Sequence, residues 1–277
     1  MRQISGNRLL KGQIIDYNFT IPSSWDELSY YQHAYILQVL HHDGDKFLKT
    51  DKLLYILFEG HWDILADISA DDLHGLASCT NFIFNERPSA INKFPKIKLN
   101  KKFYLAPADN LGNIGFGEWC FVYQFAKYFR ETNDMIFLDK LIATLYRLPD
   151  PAQHPDDINY SGDIREIFNE NLIDNRARLV ADIPEKLKLG IYTWFGSALF
   201  EVMERRPHAF PPVNPNDQTD NDSDPDDGRT WLTIFRELLG PKWGTTKELK
   251  YTNAMFVLDG LEETRIEYEK SMRPANS

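Results

Sequence analysis

"FGEWCFVYQFAKYF" at 116–129 and "DKLIATLYR" at 139–147 decide how the rest of the chain reads. In the first stretch Val122, Phe125, Ala126 and Phe129 recur at helical spacing. Trp119, Phe121, Tyr123 and Tyr128 widen that face until only Gln124, Lys127 and Glu131 remain as a polar strip. A helix apolar around most of its circumference has to be buried. "TND" at 132–134 breaks it, and Leu138, Leu141, Ile142 and Leu145 supply the stripe of a second helix. Pro149 disfavours helical geometry at Leu148 and ends that helix. The two stretches therefore read as a buried helical hairpin with "DKLIATLYR" as its second arm. Many bulky apolar residues beside few reactive ones suit a protein whose work is contact.

Outward from the hairpin, most segments keep the helical period. "SSWDELSYYQHAYILQVLHH" from Ser23 reads as a helix opened by a Ser24–Glu27 capping box, with Asp26 and Glu27 at the positive end of its dipole. "GDKFLKTDKLLYILFEG" and "SADDLHGLASCTNFIF" read as two more, the latter opened by Ser69 with Asp72 three residues on. "NENLIDNRARLVADI" continues the pattern. So does "PEKLKLGIYTWFGSALFEVMERR", where Pro184 suits the first helical position and Leu187, Ile191, Trp194, Ala198 and Val202 form the stripe. Thr245 and Glu248 make a capping box for the last helix, whose apolar positions fade after Leu261. Two places read as extended: "QIIDYNFTIP" at 13–22 as a single strand, and residues 92–106 as a β-ribbon or extended loop with Phe94, Ile97, Leu99, Phe103 and Leu105 alternating. The fold class is mainly α, an irregular helical domain with a small β-ribbon as a minor α+β component. Its expected organisation is a helical core over 1–210, a flexible Asp/Pro-rich loop over 211–228, and a helical segment over 229–277 docked on the core.

Composition narrows the function classes. With 277 residues, 43% hydrophobic and 13% aromatic, the chain can bury a sizeable core. No apolar run approaches the roughly 18 to 20 residues that span a bilayer, and "MRQISGNRLLKGQIIDYNF" has no apolar leader core, so a mature, cytoplasmic chain with no membrane contact is expected. Cys79 and Cys120 sit in apolar segments and read as buried free thiols. A net charge of −10 disfavours general nucleic-acid binding, which needs a surplus of cations on some face.

The sequence holds no recognised reactive constellation. "DNDSDPDDG" puts Asp220, Asp222 and Asp224 at alternating positions, but a calcium loop then needs Gly and Glu where Pro225 and Trp231 stand. "HHDGD" at 41–45 and "HWD" at 61–63 lack convergent ligands; His33 and His41 are two helical turns apart. "NLGNIGFGEW" has three glycines without a phosphate-loop spacing, and Gly115 and Gly117 read as the turn that launches the aromatic helix. No catalytic residue, metal site or cofactor is assigned, and the chain is read as a non-enzyme; an unrecognised hydrolase ranks third among the readings. Arg176 and Arg178 read as surface or interface ion pairs.

Two sets of residues remain as candidate surfaces. Trp231, Phe235 and Trp243 follow the Asp-rich loop on elements too short for a core of their own, and either dock on the body or bind a partner. Lys93, Lys96, Lys98, Lys101 and Lys102 alternate with aromatics, the best nucleic-acid candidate, although lysines on an exposed ribbon also block edge-to-edge aggregation.

The order "FGEW…F…YF…LDKLIATLYR", "GDIREIFNENLIDNRARLVADIP", "GPKWGTTKEL…TNAMFVLDGLE" resembles uncharacterised proteins of phages and prophages in Bacteroidetes-type bacteria. Patches from about Ser24 to Leu261 carry the resemblance, and the Asp-rich loop does not. It implies a structural or tail-assembly-module protein, a tail assembly chaperone among them, in the host cytoplasm or the virion. Partners would be other phage structural or assembly proteins, tape-measure helices included, with homo-oligomerisation also open. The alternative is a nucleic-acid-associated phage protein using the lysine ribbon.

Overall fold

The computed structural model describes residues 1–10, 13–41, 46–67, 75–158, 160–211 and 230–272. Among these the chain is mainly helical, with two antiparallel two-stranded sheets. By packing it divides into two compact units, Met1–Phe94 with Pro184–Ser197 and Pro95–Ile183 with Ala198–Ser277. The cut thus falls inside the stretch 1–210 read from sequence as one core. The loop expected at 211–228 lies, apart from Pro211, outside the described residues.

In the first unit β1 (Arg2–Leu10) pairs with β2 (Gln13–Ile21) in a register running from Arg2↔Ile21 to Leu10↔Gln13. The sequence reading had only the second of these strands. "RQISGNRLL" buries Ile4 and little else of what is described, so its apolar alternation is too faint to see. The expected Ser24–Glu27 capping box does not form. Glu27 instead accepts from the backbone N–H (2.7 Å) and hydroxyl (3.0 Å) of Ser23, and Trp25–Glu27 is one 3-10 turn without a side-chain cap. The helix α1 (Tyr30–His41) starts later because a second box competes: Ser29 Oγ accepts from Gln32 N at 3.2 Å, and Gln32 Oε1 accepts from Ser29 N at 3.0 Å. Burial of Trp25 in the turn and of Leu28 just after it fixes the later start.

α2 (Lys46–Leu57), α3 (Trp62–Asp67) and α4 (Asn81–Asn85) follow, the last preceded by a 3-10 turn at Ala77–Thr80. The Ser69 cap falls outside the described residues. Pro184–Ser197, which includes the first part of a later helix, completes this unit. Trp194 is 1% exposed and its indole N–H donates to Ala90 O at 2.9 Å. Gly190 lies so close to Phe94 that a Cβ there would come within 2.5 Å of the ring.

In the second unit β3 (Lys96–Leu99) and β4 (Lys102–Leu105) form the expected ribbon. Its turn is Asn100–Lys101, both left-handed at φ 43° and 66°, which matches the twist of the two strands. α5 (Phe116–Thr132) and α6 (Met135–Leu145) are the expected hairpin. Asn133 turns the chain at φ 53°, and Asp134 caps α6 by accepting from Ile136 N at 3.0 Å. The end of "DKLIATLYR" departs from expectation. Tyr146 is extended, and Arg147 pairs with Leu105 through bonds of 2.7 and 3.1 Å in place of a last helical turn. Pro149 makes the helical path unfavourable, and the backbone finds partners across the chain: Asp150 N reaches Ile164 O and Glu166 N reaches Leu148 O, each at 2.8 Å.

α7 (Ile173–Val180), α8 (Glu185–Glu204), α9 (Trp231–Leu238), α10 (Thr246–Tyr251) and α11 (Ala254–Met272) complete the described helices. α8 gives its residues up to Ser197 to the first unit and those from Ala198 to the second. The Thr245–Glu248 capping box forms as expected, but it opens the short α10, and a break at Thr252–Asn253 precedes α11. Gly115 faces Lys250 O, which a Cβ would meet at 2.9 Å. That close approach, more than turn geometry, asks for glycine there.

Candidate functional site

The densest chemistry in the second unit is buried charge. Glu118, in the first turn of α5, is fully buried and holds two guanidiniums: Oε2 accepts from Arg147 Nη2 at 2.8 Å and Oε1 from Arg165 Nη1 at 3.2 Å. Asp163 closes the ring from the far side, accepting from both arginines at 2.8 Å and also from Arg165 Nε at 2.9 Å. Arg165 Nη1 further donates to Leu145 O at 2.5 Å, and Arg147 Nη1 donates to Glu166 O. Arg176 extends the network through Glu166 Oε1 at 2.6 Å and Ala143 O at 3.3 Å. It is buried and not on the helix surface, and it forms an ion pair of the kind expected from sequence.

Burial pulls the Arg147 guanidinium down, and Arg165 and Arg176 add repulsion that Glu118 and Asp163 only partly offset. At Arg165 burial is again the largest influence and acts downward. There Glu118 and the two-pronged Asp163 contact outweigh it, so the group ends above the usual arginine value. Both stay charged in any ordinary buffer. Three carboxylates face three guanidiniums, and Glu118 is closed to solvent, so the cluster ties 145–147 and 163–166 to α5 and offers no nucleophile. Its members come from "FGEW", "LYR", "GDIREIF" and "NRARLV", four segments scattered through the sequence.

The C-terminal aromatics divide. Trp231 sits among Phe116, Trp119, Tyr123 and Phe210, with ring centroids 5.7 to 5.9 Å apart, and its carbonyl accepts from Cys120 Sγ at 3.6 Å. Phe235 stacks on Phe116 at 5.8 Å and 9°. These two cement α9 to α5, which is docking within the chain. Trp243 packs edge-on to Phe256 at 5.8 Å and lies on Gly260, where a Cβ would meet it at 2.7 Å. That pair is open to solvent, Phe256 being 66% exposed.

The lysines also divide. Lys93 is in the first unit, where it donates to Asp26 O at 2.8 Å. Lys96, Lys98, Lys101 and Lys102 are exposed on the ribbon of the second. Phe103 stands opposite Lys98, 51% exposed, with the ammonium groups of Lys96 and Lys98 at 5.2 and 6.0 Å from its ring centroid.

No family model matches this chain, and no curated protein or solved structure does.

Cys79 and Cys120 are free, buried thiols, each pushed up by burial and so poorly reactive. Among the described residues no group of three or more His, Cys, Asp or Glu is placed to hold a metal, and no helix is long and apolar enough to cross a membrane. Sequence reading missed an aromatic groove in the first unit, formed by α1, the end of α2 and Trp62. Its signal was the spacing of Tyr31 and Tyr35, one turn apart and both exposed.

Proposed function

We propose that the chain is a non-enzymatic phage structural or tail-assembly protein, chaperone-like in action, that works by holding other proteins of the same assembly. One observation carries this reading. The 19-residue helix α11 buries only Ala254, Val257 and Leu258, yet presents Phe256, Tyr268 and Met272 exposed, with Trp243 beside Phe256. Large exposed aromatics of this kind are where binding energy concentrates in protein interfaces. The buried ion network supports the same reading, because its charged groups serve packing. The motif resemblance to phage assembly-module proteins gives the reading its biological setting.

The test is co-purification of the full chain with the proteins encoded beside it, tape-measure helices first. Phe256→Asp is expected to weaken such a complex at least about tenfold, while its exposure keeps the change in stability within about 0.5 kcal/mol. A chain that stays monomeric and unbound when mixed with every neighbour would contradict the reading.

The alternative, nucleic-acid association through the ribbon, gains support from Phe103, an exposed ring flanked by two ammonium groups, which is how single strands are stacked and neutralised. With a net charge of −10 working against it, micromolar binding to single-stranded DNA is not expected at physiological salt. Salt-dependent binding that disappears in Phe103→Ala would promote this alternative over the first.

A further inference from the structure

The first unit carries a groove of about 370 Å³, within the size range of small-ligand sites. Tyr31 and Tyr35 on α1, Tyr55 on α2 and Trp62 at the start of α3 wall it, and all four side chains are 43% to 63% exposed. The positive φ of Gly60, 85°, turns the chain between α2 and α3 and so brings Trp62 back beside Tyr55. The indole N–H donates to Tyr55 O at 2.8 Å, which pins the ring and leaves that donor committed. Gln32 also lines the groove, but its amide is engaged with Ser29 N and the carbonyls of Ile56 and Leu57. The one charged lining group is Glu59, whose carboxylate has no hydrogen bond or ion pair among the described residues.

These features select a ligand chemistry. Four aromatic side chains and one carboxylate, with no cation among the lining residues, disfavour anions. With the amide and indole committed, a sugar would have only the tyrosine hydroxyls and Glu59 for the many hydrogen bonds it needs. A primary ammonium would lose its hydration for a single acceptor. A cation whose charge is spread over methyl groups loses little on leaving water and gains from each aromatic face. One ring is already taken, Lys186 Nζ lying 3.7 Å from the Tyr35 centroid, so Tyr31, Tyr55 and Trp62 are the rings left for a ligand.

We propose that this groove is a receptor for a trimethylammonium group, with Tyr31, Tyr55 and Trp62 supplying the π-surface and Glu59 the countercharge. The site is independent of the protein contacts assigned to α11. Two sources share the chemistry, a free choline-type molecule and a trimethyl-lysine side chain in a peptide.

Calorimetric titration of the full chain tests it, with choline in one arm and a short trimethyl-lysine peptide in the other. The control is 3,3-dimethyl-1-butanol, which has choline's shape without its charge. Saturable choline binding in the range of roughly 0.1 to 1 mM is expected, with the neutral control at least about tenfold weaker. Tighter binding in the peptide arm assigns the site to a modified protein, and tighter binding in the choline arm to a free ligand. Trp62→Ala should abolish saturation. Glu59→Gln, on an exposed side chain, should weaken choline at least about threefold and leave the control unchanged. Equal affinity for choline and the neutral control, or no saturation by either cation up to about 50 mM, overturns the proposal.

Discussion

Replacing Glu118 by Ala is expected to lower the stability of the protein by about 3–5 kcal/mol, a large share of what an ordinary domain possesses. The side chain is fully buried and touches two guanidiniums that are themselves 3% and 0% exposed. Its removal leaves Arg147 and Arg165 facing each other in a low dielectric with Asp163 as their nearest countercharge. Repulsion and lost hydrogen bonds then act together. A matched control is the Lys250–Glu170 pair, whose side chains are 18% and 38% exposed. Solvent screens that pair, so Glu170→Gln should cost less than about 1 kcal/mol. Urea unfolding of the two variants gives the comparison directly. Similar losses in both would mean that water reaches the Glu118 cluster and that it does not act as a buried tie.

Acid should weaken the protein through His33 over a defined window. His33 is 2% exposed on α1, edge-on to Trp25 at 5.6 Å and Phe94 at 5.7 Å. Burial, helped by the Lys93 cation, lowers it from 6.5 to about 4. The folded protein therefore holds the neutral ring, whereas the unfolded chain takes up a proton near pH 6.5. The contribution is complete above about pH 6.5 and is lost as pH falls toward 4, by about 3 kcal/mol in all. The variant His33→Phe keeps the ring contacts and removes the titration. Between pH 7 and 4.5 the native chain should lose about 2–3 kcal/mol more than this variant. Parallel pH dependence in the two proteins would assign the acid response to other groups.

The helical hairpin was legible because two independent signals agree there: a 3.6-residue apolar period in each arm and the "TND" break between them. The ribbon was legible through its period-two alternation alone, because its left-handed turn at Asn100–Lys101 has no glycine to mark it. The start of α1 was misjudged because Ser24–Glu27 and Ser29–Gln32 offer the same pattern five residues apart, and burial of Trp25 and Leu28 chooses between them. The ion network was invisible because its members lie up to 58 residues apart, from Glu118 to Arg176, and charged residues normally mark surface. One clue was present. Glu118 shares the helical face of Val122, Phe125 and Phe129, opposite the polar strip of Gln124, Lys127 and Glu131. A lone acid on an apolar face asks for a buried cation. The sequence contains "LYR" and "DIRE", but nothing local says which arginines will answer.

The division of α8 between the two units sets an order on synthesis. Phe94 packs against Gly190, Ala90 accepts from Trp194, and Tyr35 meets Lys186. A nascent chain that has left the ribosome only as far as Phe94 still lacks every one of these contacts. Close to a hundred further residues must be translated before they arrive. During that interval the N-terminal segment has an uncovered apolar surface and no means of closing it alone, the state in which chains aggregate or recruit chaperones. The N-terminal unit begins first and is completed late.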